Sequence, residues 1–131
     1  ARMLKGMTTN SIESLLPLAR SWNFPPQLET QSAGFANSGY DPYERAYHLE
    51  RLDSSARELV CDIQATPESP IVNLCLVVKN WGDQPAGVEV NGETIPPGDS
   101  FRYGLRRGLE GTDLVVWLKQ STTEPVRVVL Q

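Results

Sequence analysis

The stretch GFANSGYDPYERAYHL, Gly34 to Leu49, gathers residue types that recognise a polar ligand. Tyr40 and Tyr43 bring rings of the kind that stack on sugars, where axial C–H groups meet a π-face and hydroxyls bond nearby. Asp41 and Arg45 supply hydrogen bonds beside them. Trp81, in KNWGD, adds a ring at the end of a strand. Arg102 and Arg106, in FRYGLRRG, bring forks that grip carboxylate or sulfate groups bidentately. The predicted ligand set is therefore Trp81, Tyr40, Tyr43, Asp41, Arg45, Arg102 and Arg106, and the chemistry these residue types would do is reversible binding of a sugar, acidic groups included.

Catalytic chemistry has weaker support. His48 is the one histidine, and alternation puts it on the opposite face from Tyr47. A nucleophilic cysteine needs a polarising partner, so neither Cys61 nor Cys75 reads as one. Asp41, Glu44, Asp83, Glu110 and Asp113 are the candidates for paired-carboxylate work. They lie close to Pro or Gly, where acidic residues commonly serve turns and caps. No GxSxG, no phosphate-cradling glycine loop and no metal-ligand spacing is present. The expectation is no catalytic residue, no cofactor and no metal. Two cysteines with one histidine make a Cys/His zinc site untenable. The cysteines read as two buried thiols, with a disulfide as the alternative.

The chain has 131 residues, which suits one domain with a core of its own. A net charge of -4 argues against nucleic acid and against an anionic membrane surface as partner. No apolar run reaches the roughly 18 residues of a spanning helix. The opening ARMLKG reads as a mature product or a piece of a longer chain.

Two segments differ in pattern. Residues 1–33 read as a short helix and an extended strap packed on the body. Asn10 caps the helix with Glu13 three residues on, Ile12, Leu15 and Leu16 share a face, and Pro17 ends the turn. The segment WNFPPQLE, with Trp22, forms the strap. Residues 34–131 carry period-two alternation and turn signals, predicting an all-β, antiparallel sandwich, jelly-roll-like, of seven or eight strands. RELVCDIQ is half-buried, PIVNLCLVVKNW is a central strand covered on both sides, and Asn91-Gly92 predicts a type I′ hairpin. Phe101, Tyr103 and Leu105 point one way, Arg102 and Arg106 the other. Trp117 opposes Leu114, Val116 and Leu118, either as a ligand platform or as a surface covered by Trp22 and the strap.

Turn positions give a register to test. A turn centred on Ser54 sets Tyr47 opposite Cys61 and Leu49 opposite Leu59; a loop centred on Glu68 sets Cys61 opposite Cys75. All five then share one inward patch. Asp41-Pro42-Tyr43-Glu44 reads as one helical turn before a strand, with a longer helix as the alternative.

The succession LARSWNFPP, GFANSGYDPYERAY, SPIVNLCLVVKNWG, VNGETIPPG and FRYGLRRGLEGTDLVVWL resembles a β-rich accessory domain of large secreted bacterial proteins, some of them polysaccharide-degrading. The resemblance spans about residues 15–131 and carries over no catalytic residue. It implies a sandwich appended to a catalytic domain of the same chain, in a secreted or periplasmic protein. The expected function is a non-catalytic carbohydrate-binding module. The alternatives are a structural domain packed on its catalytic neighbour, and part of a polysaccharide-degrading enzyme.

Overall fold

The computed structural model describes residues 19–131. The helix expected around Asn10, with Ile12, Glu13, Leu15, Leu16 and Pro17, lies outside the described residues. Residues 19–23 are helical and carry Trp22. Ten strands follow: β1 (Gln27–Thr30), β2 (Phe35–Asp41), β3 (Ala46–Arg51), β4 (Leu59–Gln64), β5 (Ile71–Lys79), β6 (Val88–Val90), β7 (Glu93–Ile95), β8 (Phe101–Gly108), β9 (Gly111–Thr122) and β10 (Val126–Leu130).

They form two five-stranded sheets, ordered β1-β4-β10-β6-β7 and β2-β3-β5-β9-β8. The sheets pack face to face as an all-β sandwich, and residues of both fill one core. Alternation in the sequence follows the pleat. Leu59, Cys61 and Ile63 of β4 face inward, as do Leu114, Val116 and Leu118 of β9. β5 sits at the centre of its sheet, as its apolar sequence predicts. The last part of the strap is a strand: β1 pairs with β4, Leu28 opposite Ile63.

The β2–β3, β6–β7 and β8–β9 connections stay within a sheet, while every other connection between the ten strands crosses from one sheet to the other. This corrects the expected register. Tyr47 lies beside Leu76, not Cys61. Cys61 lies between Thr30 and Val128, whereas Cys75 lies beside Trp117 in the other sheet. Tyr47, Leu49, Leu59 and Cys61 are all buried in the core, but Cys75 lies half-buried outside it. The physical reason is that both sheets present apolar inner faces. Inward alternation does not tell a hairpin partner from a residue across the sandwich. Both cysteines are free thiols.

The double crossing has a further result. The chain leaves β3, runs β4 in the opposite sheet, and returns as β5. Two reversals make β3 and β5 parallel neighbours in an otherwise antiparallel sheet. Arg51 fixes the first crossing, donating to the carbonyls of Asp53 at 3.2 Å, Trp81 at 2.9 Å, and Ser54. Gly34 holds the adjoining turn at φ +83°, and its carbonyl accepts from the Leu52 and Asp53 amides at 2.7 and 3.3 Å. At the β6–β7 tip Asn91 and Gly92 have φ +51° and +85°, the pair of positive angles a type I′ turn requires.

Candidate functional site

The structure divides the sequence-predicted ligand residues between the two ends of one sheet. β3 runs from Ala46 beside the β2–β3 turn to Arg51, a length of roughly 20 Å. Tyr40, Asp41, Tyr43 and Arg45 lie at the first end. Trp81 follows the last residue of β5, at the far end.

Trp81 leaves the ligand set. It is 1% exposed and belongs to the core. Asn80 turns the chain at φ +60°, and the indole folds in at the end of the sandwich. Its N–H donates to the Gln84 carbonyl at 3.2 Å, so the ring is buried without an unpaired donor. A strand-end tryptophan closes a sandwich as readily as it rims a groove, and alternation does not separate the two.

The turn at 41–45 is a hairpin tip rather than the start of a longer helix. Asp41 Oδ1 accepts from the amides of Tyr43 at 2.8 Å and Glu44 at 3.4 Å. Tyr43 projects fully, at 97% exposure. Tyr40 turns inward instead, meeting Tyr47 edge-on with ring centroids 5.0 Å apart. Burial raises the Tyr40 phenol above its ordinary range, with Arg45 opposing the shift. Arg45 has φ +54°, a strained angle for a side chain of its size. Its guanidinium lies 3.7 Å from the centroid of the Trp22 ring. Trp22, Tyr40, Arg45, Tyr47, Asn73 and Cys75 line a cavity of about 40 Å³. That volume admits one or two waters, so a larger ligand must lie over the surface.

The second half of the site stands on the outer face of the same sheet. Arg102, Trp117 and Cys75 are register partners across β8, β9 and β5. The Arg102 guanidinium stands 5.2 Å from the Trp117 ring centroid. Among the described residues no carboxylate pairs with Arg102, whereas Arg106 meets Asp113 at 3.6 Å and Arg107 meets Asp83 at 3.3 Å. Arg106 therefore joins the far end, in a cross-strand ion pair. Next along the face come Gly104, Val115, Val77 and His48 in register. Gly104 adds no side chain, and a Cβ there would meet nothing within 4 Å. Val77 is 2% exposed yet outside the core cluster, so this outer face has an apolar floor of its own.

Two arginine–tryptophan stacks thus flank Cys75: Arg45 with Trp22, and Arg102 with Trp117. Cys75 is no nucleophile in this setting. Desolvation raises its thiol, and the Glu44 carboxylate raises it further. Trp22 and Trp117 are the members that the predicted ligand set omitted. The phase of Trp117 against Leu114, Val116 and Leu118 was the signal that pointed to its outward face.

One grouping escaped the sequence pattern entirely. Asp41, Glu44 and His48 each offer a metal-ligand atom, and these atoms lie within 4.8 Å of one another. Spacings of three and four residues imply a helix face, but here a turn and a strand bring them together.

Comparison with protein families, with curated proteins and with solved structures gives no match.

Proposed function

We propose that the chain is a non-catalytic module that binds a polysaccharide across the outer face of its β2-β3-β5-β9-β8 sheet. The observation that carries the reading is the Arg102–Trp117 stack beside the gap at Gly104. A half-buried indole offers a rigid apolar surface at small entropic cost, and the guanidinium above it supplies donors for hydroxyl or acidic groups. Tyr43 and the Arg45–Trp22 stack extend the same end of the sheet. An acidic polysaccharide suits this face despite the net charge of -4. The resemblance to accessory domains of large secreted proteins, some of them polysaccharide-degrading, supports the same reading, and makes a catalytic domain of the same chain the natural neighbour.

Native gel electrophoresis through neutral and acidic polysaccharides tests it. Migration of the 131-residue chain is retarded by at least one acidic polysaccharide, and Trp117→Ala and Arg102→Ala each remove the retardation while the fold is kept by circular dichroism. Unretarded migration across the panel, or retardation indifferent to both variants, refutes it and favours the structural alternative, a domain docked on a neighbour. Turnover of any of the polysaccharides by the isolated chain refutes the non-catalytic reading.

A further inference from the structure

We propose that Asp41, Glu44 and His48 form a binding site for a divalent transition-metal ion of the zinc or cobalt type. The inference does not rest on the polysaccharide reading. His48 Nε2 lies 2.8 Å from Glu44 Oε2 and 3.7 Å from Asp41 Oδ2. With metal–ligand bonds near 2.1 Å, two atoms on one ion lie roughly 3 to 4 Å apart. The Asp41–His48 separation falls within that range. The Glu44–His48 separation needs to open by only a few tenths of an ångström, as a hydrogen bond gives way to an ion.

The donor set selects the metal class. One imidazole nitrogen with two carboxylate oxygens suits borderline ions, whereas calcium and magnesium prefer oxygen alone. Three protein ligands leave a further position open to water or to a ligand.

The geometry is held before an ion arrives. Asp41 is fixed through Oδ1 by the Tyr43 and Glu44 amides, leaving Oδ2 on the His48 side. Arg45, between Glu44 and β3, is anchored on Trp22. His48 stands on a strand paired on both sides, opposite Gly39 of β2 and Val77 of β5, with its side chain 17% exposed. His48 Nε2 faces both carboxylates, nearer to Glu44 than to Asp41. A dication between the three neutralises both acids and accepts the nitrogen lone pair.

Untagged 131-residue chain, freed of metal by chelation and dialysis, is titrated with Co²⁺ by visible absorption and with Zn²⁺ by calorimetry. The expected result is saturable one-to-one binding of both, with Ca²⁺ and Mg²⁺ bound at least tenfold more weakly, on the order expected for their poor match to nitrogen. His48→Gln weakens binding by roughly tenfold or more, the loss seen when even an outer partner of a metal site is removed. Asp41→Asn keeps the turn cap and removes the charge, so it gives the same loss without threat to the fold. The proposal is overturned by absence of saturable Co²⁺ and Zn²⁺ binding, by binding that survives in both variants, or by a thiolate–cobalt absorption band that Cys75→Ser abolishes.

Discussion

Arg45 lays its guanidinium over the indole of Trp22, 3.7 Å from the ring centroid, while its own backbone sits at φ +54°. The left-handed conformation costs about 1 kcal/mol for a residue with a Cβ, and an exposed cation–π contact returns roughly 0.5–1 kcal/mol. The two nearly offset each other. Arg45→Ala keeps the strain and loses the contact, so it destabilises by about 1 kcal/mol. Arg45→Gly loses the contact and the strain together, so it costs less. Urea midpoints of the two variants check the order, and an alanine variant more stable than the glycine one contradicts it.

Trp81 and Trp117 make opposite demands. Trp81 is 1% exposed at the end of the core, so Trp81→Ala costs about 3–5 kcal/mol of stability. Trp117 lies half-buried on the outer face, and Trp117→Ala costs less than half of that while removing polysaccharide retardation. Thermal melts beside native gels separate the effects. Equal loss of stability from both variants is inconsistent with this placement.

Alkaline pH weakens the fold through buried acids that stay protonated. Desolvation pushes the Cys61 thiol up from 9.0 to about 12, with Asp62 adding to the shift. Burial raises the Tyr47 phenol in the same direction. For each group the folded pKa lies above the unfolded one, so the Cys61 contribution is fully present below pH 9 and is lost as pH rises from 9 toward 12, while the Tyr47 contribution is lost only above pH 10. The loss is about 1.4 kcal/mol per pH unit for each such group. Urea midpoints fall between pH 9 and 11, and Cys61→Ala shallows the fall between pH 9 and 10. An unchanged slope in that variant excludes Cys61 as a contributor.

Gly34 and Gly92 have the same backbone sign but different surroundings. A Cβ on Gly34 would meet the Ala56 Cβ at 2.6 Å, whereas one on Gly92 meets nothing within 4 Å. Gly92→Ala therefore costs about 1 kcal/mol for its positive φ alone. Gly34→Ala adds overpacking of roughly 1–3 kcal/mol. Denaturant melts rank the two, and equal costs contradict the contact.

The expected ligand residues show how far local pattern reaches. Asn91-Gly92, the inward run Phe101, Tyr103, Leu105, and the outward phase of Trp117 depend on φ preference and on the two-residue pleat, both local properties. They were legible in the chain. Local pattern reads Trp81 as a ligand ring because the residues that bury it lie beyond its own stretch of chain. Local pattern puts Trp22 in an extended strap and makes Arg45 only a hydrogen-bond donor, whereas the fold sets Trp22 on a helical turn with the Arg45 guanidinium over its ring.

Period-two alternation and frequent turn residues are local properties of this chain, and a β-sandwich with one buried face per strand follows from them. Which inward faces belong to the same sheet is set by long-range pairing. Tyr47 and Cys61 are both buried, yet they lie on opposite sides of the core. Burial is a property of one residue and its neighbours in sequence report it. Pairing is a choice among distant strands with equally apolar faces. That choice, through the double crossing that sets β5 beside β3, brings Cys75 between two arginine–tryptophan stacks, and the β2–β3 hairpin folds Asp41 and Glu44 against His48.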